Sequence, residues 1–439
     1  MDNNVLTIKE QEILALDINS KEHSDLLTLL NRDSYNPSNP NQLLGLDWSN
    51  RSQTELQAKY FIGLKWIKEG ESAIYVEPKI KDIDFMSMFM HCFNNDCQDI
   101  VSKLGKIYSI DFEQKSIKVE SECIELTPIL IVHFLKLIKS IVQRGLKCNY
   151  VNIEENLNSK IKGKILLNQT IKRNYSSGRI NQTVCRYQDY SIDCLENRVL
   201  KKTLLFVSKF IDINPGISCC QDLKQIANYC LGAVASIGEE IPLQHIKQFK
   251  VNPLYKEYAE ALTVAKLILR RFSYDIELVK KDVDRALPPF WIDMSLLFEL
   301  YVYSQLKKVY NHQIHHHLST YGNEIDFVKY DERLVIDTKY IPQWKNKIHH
   351  DNIRQLSGYA RNTALRKKIL NSDRDETTIL DCLIVYPGKS GRLQFCSNEN
   401  LINNKTDIVD TYLKVHKLAI KLPVKDDELQ RSELSGISG

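Results

Sequence analysis

Residues 323–341 read NEIDFVKYDERLVIDTKYI. Two largely apolar runs, 325–328 and 334–336, flank the polar stretch 330–333, which is the pattern of two strands joined by a short turn. Side chains alternate faces along a strand, so Asp337 and Lys339 point the same way. Hairpin pairing can bring Asp326 alongside them. Two carboxylates and an ammonium gathered on one face are costly to bury without partners or a task. Magnesium takes carboxylate oxygens and keeps several of its waters. A neighbouring lysine can orient such a water or stabilise charge on a phosphoryl group. The spacing of Asp326, Asp337 and Lys339 therefore points to metal-dependent phosphodiester hydrolysis. The competing reading is an exposed hairpin with a surface Asp and Lys. Context favours the first, because Asp337-Thr338-Lys339 closes the very apolar run Leu334-Val335-Ile336, and strand ends are where α/β proteins place ligands.

Working outward, MSLLFELYVYSQLKKVY (294–310) predicts a helix capped by Asp293 or Ser295. Glu299 lies inside its apolar run and either reaches solvent or faces a site. A helix is predicted over 351–370, where Gln355 and Tyr359 share one face. TILDCLIVYP (378–387) reads as a buried strand stopped by Pro387. His312, His315, His316, His317, His349 and His350 invite a metal reading. Consecutive histidines on a strand cannot all converge, however, and neither HExxH nor a cysteine at ligand spacing accompanies them. They are read as a polar loop or strand edge.

Toward the N-terminus, residues 58–80 predict two strands around Glu69-Gly70-Glu71, and 106–121 a second hairpin turning near Gln114. Helical periodicity begins at Thr127, with Ile131, Phe134, Leu135, Ile138 and Val142 on one stripe. Asp193 and Glu196 have capping-box spacing ahead of Leu200, Leu204 and Val207. A further helix is predicted over 254–272. The chain thus divides into a β-rich region at 1–125, a mainly helical region at 126–285 and an α/β region at 286–439, a multidomain α+β protein.

The 439 residues are 43% hydrophobic and 26% charged, which is ordinary globular chemistry. Lys and Arg exceed Asp and Glu by 59 to 55, too little to imply nucleic-acid binding by itself. The distribution says more. Residues 160–186 carry seven basic residues and no acid; 339–368 carry eight against Asp351 alone, with Tyr340, Trp344 and Tyr359 interleaved. Such stretches suit phosphate backbones, although a solvated face is the competing reading. The eleven cysteines form no CxxC repeat. No apolar leader is present, and the most apolar run, 126–142, is interrupted by Lys136 and Lys139, so no membrane span and a cytoplasmic location with reduced thiols are expected. Neither GxxxxGK[ST] nor GxGxxG occurs, so no nucleotide is expected on this chain.

Several blocks, in order, resemble the McrC family, the nuclease subunits of McrBC-type modification-dependent restriction systems. They are YFIGLKWI (60–67) with IYVEPKI (74–80), IKGKILLNQTI (161–171), DYSIDCLENRVLK (189–201), MSLLFELYVYSQL (294–306), the IDF…LVIDTKY pair, RQLSGYA (354–360) and CLIVYP (382–387). The resemblance implies a C-terminal PD-(D/E)xK restriction-endonuclease-like domain with a mixed central sheet. It implies that Asp326 and Asp337 bind Mg2+, for which Mn2+ can substitute, that the Thr338 carbonyl and Glu299 add ligands, and that Lys339 is the catalytic lysine. Ile325 stands where many of these nucleases have proline. Gln355 and Tyr359 match the Q-x-x-x-Y element of related nucleases. Double-stranded DNA as substrate is implied, as is a McrB-like AAA+ GTPase hexamer that the β-rich N-terminal region would dock. Two rivals remain open: a stand-alone repair or recombination nuclease, and a non-catalytic activator of an AAA+ ring.

Overall fold

The helix Met294–Tyr310 is buried on nearly every side, including Leu297, Phe298, Leu300, Tyr301, Val302 and Leu306. A helix apolar all round has to be enclosed, and here a sheet lies on each side of it. Asp293 caps it, its carboxylate accepting from the Leu296 N–H at 3.0 Å. The computed structural model describes residues 4–424 apart from 17–20, 33, 81–82, 94–105, 112–113, 119–125, 214–219, 240–255, 272–285, 321–322, 342–349, 371–377, 393–394, 396–399, 403–405 and 410. Its contacts group into two compact units, one made of 1–125 with 283–439 and the other of 126–282.

In the first unit, one sheet has the order Asn4–Lys9, Ser72–Glu77, Phe61–Lys68, Phe290–Asp293, Tyr108–Ile110. The hairpin turning at Glu69-Gly70-Glu71 is present, with Gly70 at φ +81. Its partner strand Phe290–Asp293 crosses so closely that a Cβ on Gly63 (φ +147) would sit 2.2 Å from the Phe290 carbonyl oxygen. The helices Lys21–Leu30 and Phe85–Phe93 also fall in this region, which the sequence reads as mainly β.

The second sheet of this unit is mixed. Its order is Ile314–Thr320, Asn323–Lys329, Leu334–Thr338, Asp381–Arg392, Val415–Ile420, Asp407–Ile408, with Leu334–Thr338, Asp381–Arg392 and Val415–Ile420 parallel to one another. The connection from Leu334–Thr338 to Asp381–Arg392 carries the helices His350–Ala360 and Thr363–Leu370. Ile353, Leu356, Leu365 and Ile369 seat them on Val328, Val335, Cys382 and Ile384.

Four expectations change. Residues 106–121 do not form a hairpin: Tyr108–Ile110 pairs with Phe290–Ile292, and Ile117–Lys118 with Ala286–Leu287. The predicted 351–370 helix is two, because the Asn362 side chain accepts from the Leu365 N–H and starts a second one. Pro387 does not stop its strand, whose register shifts between Pro387 and Arg392 to absorb the missing donor. The capping box at Asp193 is not made either, as the second unit shows. Leu254, placed by periodicity in the 254–272 helix, lies outside the described residues; the helix runs Lys256–Arg271.

The second unit packs the helices Leu126–Arg144, Leu195–Ile213, Cys220–Ala233 and Lys256–Arg271 together, and carries a small sheet of Lys164–Ile165, Gln182–Ser191 and Asn149–Asn158. The block 189–201 acts here as scaffold. Asp193 accepts from Arg198 at 2.7 and 2.8 Å and from the Gly238 N–H at 2.9 Å, while Glu196 pairs with Lys147 at 2.7 Å. The fork of Arg198 offers Asp193 two charge-assisted bonds, which outcompete a cap. Asn197, fully buried, donates to the Lys147 and Ile192 carbonyls and accepts from the Tyr258 hydroxyl. Lys201 ends on the carbonyls of Ala235 and Ile237.

Candidate active site

The hairpin register decides the site. Phe327 pairs with Ile336 and Val328 with Val335, so one further step along the ladder sets Asp326 beside Asp337. The Thr338 N–H and hydroxyl both donate to Asp326 Oδ2 at 2.7 Å and fix that carboxylate. Asp337 is 2% exposed, walled by the parallel strand in which Ile384 is its partner. Its Oδ2 lies 3.0 Å from Lys339 Nζ, a charge contact without an aligned hydrogen bond. Lys339 Nζ in turn donates to Gln355 Oε1 at 3.1 Å, and Gln355 Nε2 donates to the Tyr359 hydroxyl at 2.6 Å. The structure therefore joins Asp326, Asp337, Thr338, Lys339, Gln355 and Tyr359 in one continuous set of contacts.

The electrostatics follow from the burial. Desolvation pushes Asp326 up to about 7, the charges of Asp337 and Glu299 push the same way, and the two Thr338 bonds oppose them. Desolvation also raises Asp337, against the pull of Lys339. For Lys339, burial acts downward and is the largest single influence, but the charge and contact of Asp337 together with the charge of Asp326 outweigh it, so its pKa lies above the ordinary lysine value.

Glu299 is turned from solvent, with a side chain 15% exposed. Its Oε1 is contacted by His316 Nε2 at 3.0 Å and by His317 Nε2 at 2.8 Å, and it acts on both aspartates through its charge. The three consecutive histidines do not all converge, in line with their alternation, yet two of them do. They belong to an edge strand, as read, but His317 adopts φ +50 and turns to the same side as His316. His315 keeps the alternation and meets the Tyr330 ring edge-on. The pair His316 and His317 is what sequence reasoning missed, and no residue type at 317 signals the change of backbone.

Of the basic stretches, Lys160, Lys162, Lys164, Lys172, Arg173, Arg179 and Arg186 are all exposed, with Arg186 paired to Glu154. In the second stretch Trp344, Lys345 and Lys347 lie outside the described residues.

A family model described as "McrBC 5-methylcytosine restriction system component" matches residues 56–370. The chain belongs to this family. That is the family the ordered sequence blocks resemble, and the matched span contains Glu299, Asp326, Asp337, Lys339, Gln355 and Tyr359, together with the scaffold block 189–201. It ends before Asp381–Arg392, the strand against which Asp337 is packed. No curated protein matches the chain. Two solved structures are similar to it. One is a refined half-complex from a tetradecameric assembly of Thermococcus gammatolerans McrB AAA+ hexamers with bound McrC, at 15% identity over 99% of this chain and 100% of that one, TM-score 0.40. The other is a cryo-EM structure of the Thermococcus gammatolerans McrBC complex, at 16% identity over 70% of this chain and 88% of that one, TM-score 0.30. Among the described residues no helix is long and apolar enough to cross a membrane.

The family and the residues together raise the question of a metal at the aspartate pair. Both carboxylates are oxygen donors of the kind magnesium takes, and Asp337 Oδ2 is buried without a hydrogen bond. Both hold protons more tightly than ordinary carboxylates because their charge is desolvated, a penalty a bound cation would relieve. The donor set fits.

Proposed function

We propose that this chain is the DNA endonuclease subunit of a McrBC-type restriction system, hydrolysing phosphodiester bonds of double-stranded DNA with Mg2+, or Mn2+ in its place. The convergence of Asp326, Asp337 and Lys339 inside the family-matched span carries this reading. The aspartate carboxylates, with the Thr338 carbonyl, are the ligands that would hold the ion, in the manner of a PD-(D/E)xK nuclease. When bound, the metal supplies Lewis-acid polarisation of the phosphoryl group and a water of lowered pKa. Thr338 keeps Asp326 from rotating away by its two hydrogen bonds. Lys339, whose pKa the neighbouring Asp337 and Asp326 lift above the ordinary lysine value, serves as an electrostatic and orienting group: it stabilises negative charge on the phosphoryl oxygens and aligns the attacking water. Gln355 positions the Lys339 ammonium, and Tyr359 positions Gln355.

Family membership supports a McrB-like AAA+ GTPase hexamer as partner, a role in defence against foreign modified DNA, and action in the cytoplasm. The test is plasmid cleavage in Mg2+, with and without the McrB-like partner and GTP, by wild type, Asp337→Ala and Lys339→Ala. The expected result is cleavage that needs partner, GTP and both residues. An Asp337→Ala protein that cuts as well as wild type overturns the assignment, and cleavage by the lone chain replaces it with a stand-alone nuclease.

A further inference from the structure

Beside the aspartate pair, Glu299, His316 and His317 bring one carboxylate oxygen and two imidazole nitrogens within 4.8 Å of one another. They come from two elements, the buried helix Met294–Tyr310 and the edge strand Ile314–Thr320. Both Nε2 atoms approach the same Glu299 oxygen, at 3.0 and 2.8 Å. Metal–ligand bonds of about 2.1 Å put neighbouring ligand atoms roughly 3 Å apart, and both nitrogen–oxygen distances match that spacing. Adjacent strand residues ordinarily face opposite ways, and here the left-handed φ of +50 at His317 brings the second ring round. A non-glycine residue held in that region costs on the order of 1 kcal/mol, and such outliers gather at ligand clamps.

The cluster is also built like a site. His316 stacks on Tyr303 (4.3 Å, 16°) and on Phe327 (5.5 Å, 21°), which fixes its ring. Its side chain is 2% exposed and that of His317 is 29% exposed, so one side is closed by rings while the other opens to solvent. The other nitrogen of His317, Nδ1, faces the exposed Glu324 carboxylate at 3.8 Å, a charge contact and not a hydrogen bond.

We infer that Glu299, His316 and His317 form a binding site for a divalent first-row transition metal, separate from the carboxylate pair of Asp326 and Asp337. Two imidazoles and one carboxylate suit Zn2+, Mn2+ or Fe2+, whereas Mg2+ and Ca2+ take oxygen shells. Three protein ligands leave positions for water or for a phosphate oxygen. The inference stands on this geometry alone and holds whether or not the chain cleaves DNA.

The experiment uses the full chain, stripped with EDTA, in wild-type form and as an Asp326→Asn/Asp337→Asn double variant that disables the carboxylate pair. Zn2+ is titrated by calorimetry, and Co2+ is followed by its visible absorption. One ion per chain is expected in the double variant, and wild type should bind the same ion in addition to any that its aspartate pair takes, so the single-site variants are made in the double-variant background. His317→Gln keeps an N–H for Glu299 but has no imidazole lone pair; it should weaken binding by more than about tenfold and abolish the cobalt bands. Glu299→Gln, checked with His317→Gln for folding by circular dichroism, supplies the second variant. Absence of binding in the double variant overturns the site. Binding that survives both His317→Gln and Glu299→Gln, as zinc held by cysteines elsewhere would, overturns it too. Because the readout is metal content, failure here is distinguishable from failure of the nuclease reading, which shows in cleavage by Asp337→Ala.

Discussion

Asp326→Asn should make the metal-free protein more stable at pH 8, even though it removes a group proposed to be essential. Burial and the charges of Asp337 and Glu299 lift the Asp326 carboxyl from 3.8 to about 7. A carboxyl that holds its proton more tightly in the folded state contributes stability below its unfolded pKa, and that contribution is lost as pH rises through the folded one. The window is therefore pH 4 to 7. At about 1.4 kcal/mol per tenfold change in proton affinity, the full loss is roughly 4 kcal/mol. That is an upper bound, since Asp337 and Asp326 share the titration. Asparagine keeps an oxygen to accept from Thr338 and carries no charge, so it escapes the penalty. Urea unfolding in EDTA at several pH values between 4.5 and 8 measures this. The variant should gain most at pH 8, and its advantage should shrink steadily toward pH 4.5. Added Mg2+ should stabilise wild type and leave the variant nearly unchanged, because a ligand stabilises only the state that binds it. A variant no more stable than wild type at pH 8, or an advantage flat across pH, would refute the picture of a desolvated carboxylate awaiting a cation.

Three further outcomes follow from particular contacts. Lys339→Ala should lower single-turnover cleavage by about a hundredfold to a thousandfold, and Gln355→Ala by less, since it only positions the ammonium; rapid-quench assays at saturating DNA separate the two. Gly63→Ala should destabilise the first unit by on the order of 3 kcal/mol or more, read as a lower urea midpoint, because neither the φ of +147 nor the Phe290 carbonyl leaves room for a methyl. Asn197→Ala should cost the second unit on the order of 2–4 kcal/mol by the same assay, as it strands the buried Lys147 and Ile192 carbonyls and the Tyr258 hydroxyl together.

What could be read in the sequence was what is encoded locally. The Asp326–Asp337 juxtaposition needed only two strands and a short polar turn, and Glu69-Gly70-Glu71 announced its own hairpin through a glycine that takes φ +81. The helix 294–310 declared itself by length, apolar content and a capping aspartate. Residues 106–121 misled because their hydrogen-bond partners are strands at 286–293, far along the chain, and no local pattern specifies such pairing. Asp193 and Glu196 had the spacing of a cap, but Arg198, Lys147 and Gly238 were better partners than the helix end. The alternation rule was sound for a regular strand; His317 departs from it through a single dihedral angle that side-chain chemistry does not reveal.

The change of pattern near residue 285 suggests a boundary, yet the chain there enters a sheet. Ala286–Leu287 pairs with Ile117–Lys118, and Phe290–Asp293 lies between Phe61–Lys68 and Tyr108–Ile110 before running directly into the helix that bears Glu299. From the other direction, the Gln11 side chain donates to the Tyr340 carbonyl at 3.0 Å, one residue beyond Lys339. Glu10 and Tyr340 are each 1% exposed, and burial pushes both well above their ordinary proton affinities. The Asp84 N–H donates to the Pro423 carbonyl at 2.9 Å. N-terminal strands thus form one wall of the unit that holds the aspartates. The Gln11 bond to Tyr340 therefore ties the N-terminal segment to the residue that follows Lys339, whose own N–H is held by the Val385 carbonyl, so the region read from the pattern as a separate domain shares a packed interior with the aspartates.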